Sequence, residues 1–410
     1  MERRLGTLDA VVIGLGAMIG AGVFVVFAPA AAVAGTGLLF GLVIAAFIAY
    51  CNATSSAQLA ARYPTSGGTY VYGREQLGPW WGFVAGWSFV IGKTASCAAM
   101  ALTFATYVVP EPYRKLTAVL VVVALVGVNY RGVTRTAQMA RVIVAVSLTA
   151  LGVGLATAFW GPEVDLALPA CAVGSWYGVL QSAGLLFFAF AGYARIATLG
   201  EEVRDPRRTI PRAILIALTV AIVVYALVAM VLLVTLGPEK LAASARPLSD
   251  AVAAGGLAWA VPIVVIGAAT ASAGALLALI AGVSRTAMAM GRERDLPTTF
   301  AVIHPRFAVP HHAELTVGVI VILLVSVVDL RGVIGFSSFG VLLYYFVANV
   351  SAFAQGDADR MFPRWLQLVG ALGCAVLAFT LPVSAVVAGV GVVLVGCGYR
   401  WIRLEKTSDT

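Results

Sequence analysis

Charge is the scarcest property of this chain. Asp, Glu, Lys and Arg make up 11% of its 410 residues, against roughly 25% in soluble domains. Hydrophobic residues make up 61% and the mean hydropathy is +0.96, more apolar surface than a water-exposed fold can hide, so a soluble globular protein is excluded. The three histidines, His304, His311 and His312, share one segment with no Cys or carboxylate cluster at metal spacing. They read as solvated loop residues, and no metal or other cofactor is expected. The five cysteines (Cys51, Cys97, Cys171, Cys374 and Cys397) are scattered and odd in number, which argues against a disulfide framework and for small buried apolar residues. Acidic residues are missing altogether from positions 10–74.

What fills the chain instead is a succession of apolar runs, many near the ~20 residues that cross ~30 Å of hydrocarbon. Twelve spans are expected, at roughly 8–34, 38–61, 80–109, 115–130, 136–160, 176–199, 211–236, 258–290, 313–329, 333–354, 364–381 and 383–401. The twelfth requires Pro382 to be a turn rather than a kink. No small-residue cleavage site ends the first run, so a removed signal peptide is not expected. Of the 27 Lys and Arg, 20 fall on the side of the termini, five on the opposite side, and Lys93 and Arg195 lie within spans. The positive-inside rule then predicts cytoplasmic termini. The same asymmetry accounts for the net charge of +8 through the bilayer and without nucleic acid. The connecting loops leave no room for a soluble catalytic domain.

The first run contains "GLGAMIGAGVF", residues 14–24, with four glycines in eleven positions. A dinucleotide-binding fingerprint would need an acidic residue about 20 positions on, and the acid-free stretch removes it. Close helix packing through Gly16 and Gly20 suits a G-x-x-x-G pair but does not by itself call for Gly14 and Gly22. A deliberate interruption calls for all four. Non-helical backbone is tolerated at membrane depth only where protein or water covers it, and its exposed N–H groups suit an anion such as a carboxylate. Carriers built from inverted repeats carry such breaks in corresponding spans. The sixth run, "LLFFAFAGYARIATLGEEVRDPRRTIPRAI" (185–214), has Gly192 amid Phe188, Phe190 and Tyr193, which fits a five-plus-five repeat.

On "GAMIGAGVF" (16–24), "YPTSGGTYVYGREQLGPWWGFVAGW" (63–87), "FFAFAGYARIATLGEEVRDPRRTIPRAI" (187–214) and "SRTAMAMGRERDLP" (284–297), the chain resembles the amino acid–polyamine–organocation (APC) superfamily. Within it, the likeness is to the bacterial permeases akin to cationic amino acid transporters. The resemblance implies an all-α integral membrane protein of about 12 helices, with discontinuous first and sixth spans. It divides the chain into repeats at 1–160 and 161–354, with two further helices in 355–410. By the same likeness, the backbone of Ile19, Gly20, Ala21 and Gly22 would bind a substrate α-carboxylate. Carbonyls of Phe188, Ala189 and Ala191 would receive the α-amino group. Ala194 stands where relatives that accept cationic side chains carry an acid, which points to neutral amino acids. Phe24, Phe190 and Tyr193 are candidate pocket walls or gates, or ordinary packing.

Lys93 lies mid-span, where a charge costs ~2.5–3.5 kcal/mol on insertion scales and faces a cavity or partner. The family's fifth-span lysine, whose ammonium replaces a sodium ion, corresponds here to Ser147. Lys93 is a candidate for the same coupling task, set against a structural ion pair or snorkelling. Arg195 stays protonated, and a structural role is expected, by snorkelling or by pairing with Glu201 or Glu202. A contact with an acidic substrate is the sharper alternative. Thr270 and Ser272 could supply oxygens to sodium, but Ala273-Gly274 replaces the family's hydroxyl pair, which favours proton coupling or exchange. A membrane-embedded enzyme would need clustered ionisable groups at depth, and a channel a ring of filter groups; neither is present. The expectation is a multi-pass secondary transporter of amino acids in the plasma (inner) membrane, by symport or antiport. The alternatives are a polyamine or cationic amino acid permease, or a non-transporting sensor or partner subunit.

Overall fold

Backbone N–H and C=O groups in hydrocarbon have no water to bond, so a chain this apolar satisfies them within helices. A computed structural model describes residues 5–65, 67–132, 136–161, 174–200 and 202–408. Among these, the regular structure is helical, and the one strand-like pairing is an isolated bridge between Leu5 and Val203. Ten helical stretches are long and apolar enough to cross a membrane, and two shorter apolar helices, His311–Val327 and Arg364–Thr380, accompany them.

The first span is discontinuous, running through Thr7–Met18, Gly22–Val25 and Phe27–Ala34. The second is Leu38–Arg62, the third Pro79–Val108, the fourth Arg114–Tyr130 and the fifth Thr136–Phe159. The sixth is also divided: Trp176–Phe190, a 3₁₀ turn at Ala191–Tyr193, then Ala194–Ala197. The seventh helix runs from Pro206 to Ala243 across a break at Gly237, where φ is +69°. Val261–Arg292, His311–Val327, Leu330–Ala354, Arg364–Thr380 and Val383–Ser408 are the eighth to twelfth. Pro382 is a turn, because Thr380 ends one helix and Val383 begins the next. The segment 62–79, between the expected second and third spans, contains the helix Thr69–Leu77.

The third span is the central post, packed along the tenth and the eighth. Glycines let it approach closely: a Cβ on Gly340 would lie 2.8 Å from Gly92 Cα, and Ser96 and Ser337 share a 2.6 Å hydrogen bond beside them. Between the second and tenth spans runs an amide ladder. Asn349 Nδ2 donates to Asn52 Oδ1 at 2.6 Å, Ser55 donates to Asn349 Oδ1 at 2.7 Å, and Gln58 donates to Gln355 at 2.7 Å. Such bonds contribute roughly 0.6–2 kcal/mol each inside a membrane protein and fix helix register.

An ionic cluster closes one end of the bundle. Asp295, buried after the eighth span, accepts from Tyr70 at 2.8 Å, pairs with Arg74 at 3.4 Å and meets Arg400 of the twelfth span. Arg400 also lies 5.0 Å from the ring centres of Trp80 and Phe83. Burial lifts the Asp295 carboxyl above its ordinary value even against two arginines and a hydroxyl.

Candidate substrate site at two interrupted helices

In the first span the helical ladder runs down at a 2.6 Å bond from Ile19 N–H to Leu15 O and restarts with Phe24 N–H donating to Ala21 O at 3.0 Å. These bonds bracket the N–H groups of Gly20, Ala21, Gly22 and Val23. The turn itself is made by Ile19, at φ −84° and ψ 45°. None of the four glycines at 14–22 is among the positive-φ residues, so backbone freedom is not why they are there. Close approach is. A Cβ on Gly14 would lie 2.2 Å from Ile196 Cδ1, on Gly16 2.9 Å from Val144, on Gly20 3.0 Å from Ala275, and on Gly22 3.0 Å from Ala189 Cα. Packing therefore calls for Gly14 and Gly22 as well as the G-x-x-x-G pair, a correction to the sequence argument. Spacing in one run cannot reveal neighbours contributed by the fifth to eighth spans.

The sixth span breaks alongside. Gly192 sits directly on the first span, where a Cβ would meet Ala17 O at 2.3 Å and Met18 N at 2.6 Å. The two interruptions are thus in backbone contact at Gly22–Ala189 and Gly192–Ala17. Side-chain donors converge on the carbonyls there. Lys93 Nζ donates to Ala191 O at 3.2 Å, and Tyr345 OH approaches the same oxygen at 3.4 Å. Tyr225 OH lies 2.6 Å from Met18 O and 3.0 Å from Ala189 O, spanning both breaks, and Tyr107 OH donates to Phe24 O at 3.0 Å. Tyr107, Tyr225 and Tyr345 went unnoticed in the sequence. The available signal was a buried tyrosine in an apolar span, whose hydroxyl must find a partner.

Ile19, Gly20, Ala21 and Gly22 are all buried, as are Phe188, Ala189, Ala191 and Ala194. The three aromatic candidates are packed rings: Phe24 is edge-on to Tyr107 at 5.9 Å, Phe190 to Tyr225 at 4.9 Å, and Tyr193 lies against Tyr345 at 5.0 Å. Ser147, on the fifth span, is buried, with no hydrogen-bond partner for its hydroxyl among the described residues. Ser272 spends its proton on Ala268 O at 2.6 Å, within its own helix. Arg195 bonds Thr198 at 3.4 Å and has no carboxylate partner among the described residues. Glu202 holds Leu5 N–H through its backbone oxygen at 3.0 Å, and Glu201 lies outside the described residues. Among the described residues no group of three His, Cys, Asp or Glu could hold a metal.

Two helices broken at membrane depth and in contact with each other, within a bundle of apolar spans, define a polytopic membrane transporter. The family model for amino acid permeases matches residues 5–399, and the chain belongs to that family. An uncharacterized transporter of Mycobacterium tuberculosis is 58% identical over 404 residues, covering 98% of this chain and 92% of the relative. The branched-chain amino acid permease BcaP of Bacillus subtilis is 25% identical, covering 90% and 84%. The methylthioribose transporter of Bacillus subtilis is 26% identical, covering 84% and 77%.

Proposed function

We propose that the protein moves neutral amino acids across the plasma membrane by alternating access, coupled to protons or by exchange. The substrate carboxylate would bind the N–H groups of Gly20, Ala21 and Gly22, with Ile19, whose own N–H is held by Leu15 O, making the turn that presents them. The amino group would turn to the carbonyls of Phe188, Ala189 and Ala191. The observation that carries this reading is the backbone contact between the two interruptions, which brings a donor edge and an acceptor edge together. Ala194, where an acid would receive a cationic side chain, and the named substrates of the branched-chain permease both favour neutral side chains.

Residues 1–160 and 161–354 would form the two inverted repeats, with both termini cytoplasmic and 355–410 adding the last two helices. Lys93 is the coupling group in this reading. Its neighbours are Cys97 one turn along its own helix, Tyr345 from the tenth span, and Tyr193, whose ring lies tilted against Tyr345. Sodium is not required in this reading, since Thr270 and Ser272 are a meagre ligand set and the Ser272 hydroxyl already donates to Ala268 O.

A thermal-stability screen of the purified protein against amino acids and polyamines, with and without sodium, tests the reading, because a ligand that binds the folded state stabilises it by mass action. Stabilisation by a neutral amino acid without sodium is expected. Stabilisation by an amine lacking a carboxylate would overturn it.

A further inference from the structure

Beside the interruption stands a cation, Lys93, that no carboxylate among the described residues pairs with. Lys93 is 6% exposed, and its bonded partner among the described residues, Ala191 O, is neutral. The second, third, sixth, eighth and tenth spans contain no Asp or Glu, and the one acid of the first, Asp9, pairs with Arg141 of the fifth. The acceptors assigned to a substrate amino group are also largely engaged. Ala191 O holds the Lys93 ammonium and faces Tyr345, and Ala189 O faces Tyr225. A second ammonium at Ala191 would meet Lys93 as a like charge in a medium that screens poorly.

We infer that Lys93 stands in for the substrate's α-amino group, so that the site also takes carboxylates lacking that group, the 2-oxo acids that correspond to its amino acids. Such a ligand brings one negative charge to a site with one excess positive charge. Its carboxylate uses the same N–H groups at 20–22, and its 2-oxo oxygen accepts from the Lys93 ammonium. An amino acid instead displaces the ammonium from Ala191 O and leaves the excess charge uncompensated. The inference rests on the proposed function for the carboxylate half of the site and departs from it at the amine half.

The test measures dissociation constants of the purified wild type and of Lys93→Met for a panel of neutral amino acids. Each is paired with its own 2-oxo acid and its own decarboxylated amine. The expected result is that the 2-oxo acid binds the wild type at least as tightly as its amino acid. It should lose at least tenfold in Lys93→Met, while the amino acid, relieved of the competing ammonium at Ala191 O, binds that variant at least as tightly as it binds the wild type. If the amino acid binds the wild type and the 2-oxo acid is more than tenfold weaker, the inference is overturned and the proposed function stands. If Lys93→Met binds the 2-oxo acid unchanged, Lys93 is not its partner and the inference is likewise overturned. If only the amine binds, or no pair binds at all, the reading of the site as a carboxylate site fails and the inference falls with it. Should Lys93→Met fail to fold, the wild-type comparison within each pair still decides.

Discussion

Met18, Phe24, Ala189 and Ala191 each present a carbonyl beside an interruption, and each is met by side chains from the third, seventh or tenth span: Tyr225 for Met18 and Ala189, Tyr107 for Phe24, Lys93 with Tyr345 for Ala191. Buried acceptors at membrane depth cannot turn to water, so a break is stable only where such donors are supplied. Tyr225→Phe should therefore cost about 1 kcal/mol of stability, measurable by thermal denaturation in detergent, and should loosen both breaks together. The glycines make a sharper contrast. In Gly192→Ala the new methyl meets the Ala17 backbone, which cannot step aside, whereas in Gly14→Ala it meets the flexible end of Ile196. Gly192→Ala should destabilise by about 1–3 kcal/mol and abolish ligand binding, with Gly14→Ala nearer to wild type in both. Equal effects at the two positions would refute the close-approach explanation. The sequence drew attention to these glycines correctly but for an incomplete reason. Their count was visible in residues 14–24, while the atoms that crowd them come from residues 144, 189, 196 and 275.

Among elements, the entry to the first span and the exit from the sixth are tied by backbone. Leu5 N–H donates to Glu202 O at 3.0 Å, and Arg204 N–H returns to Leu5 O at 2.9 Å. With Gly192 seated on Ala17, the two half-helices on that side of the breaks are joined at both ends and should move as a unit. At the same scale, Asp295 ties the helix Thr69–Leu77 and the twelfth span to the end of the eighth. Asp295→Asn leaves Arg400, itself 5% exposed, without its charge partner. A loss of about 3–5 kcal/mol is expected, as for one member of a buried pair. The double variant Asp295→Leu with Arg400→Met should recover much of that loss, and a double variant no better than the single would show that packing rather than charge is at issue. The spans themselves were legible, because a run of apolar residues reports its own burial. The helix 69–77 and the ionic cluster were not, because Tyr70 and Arg74 find their partner more than 200 positions away.

For the whole molecule, the chain is a polytopic transporter of the amino acid permease family. If Lys93 carries the coupling proton, uptake by Lys93→Met in proteoliposomes should no longer vary with a pH gradient, while exchange of substrate across the bilayer persists. Unchanged pH dependence would remove Lys93 from coupling. The most direct test of the central claim, that the paired interruptions hold the substrate, is sodium-free uptake of neutral amino acids by the wild type and by Gly22→Leu reconstituted side by side. The wild type should show saturable uptake, and Gly22→Leu, whose side chain would press on Ala189 Cα, should insert and fold yet lose it by at least a hundredfold. Uptake by Gly22→Leu at the wild-type rate would contradict the account.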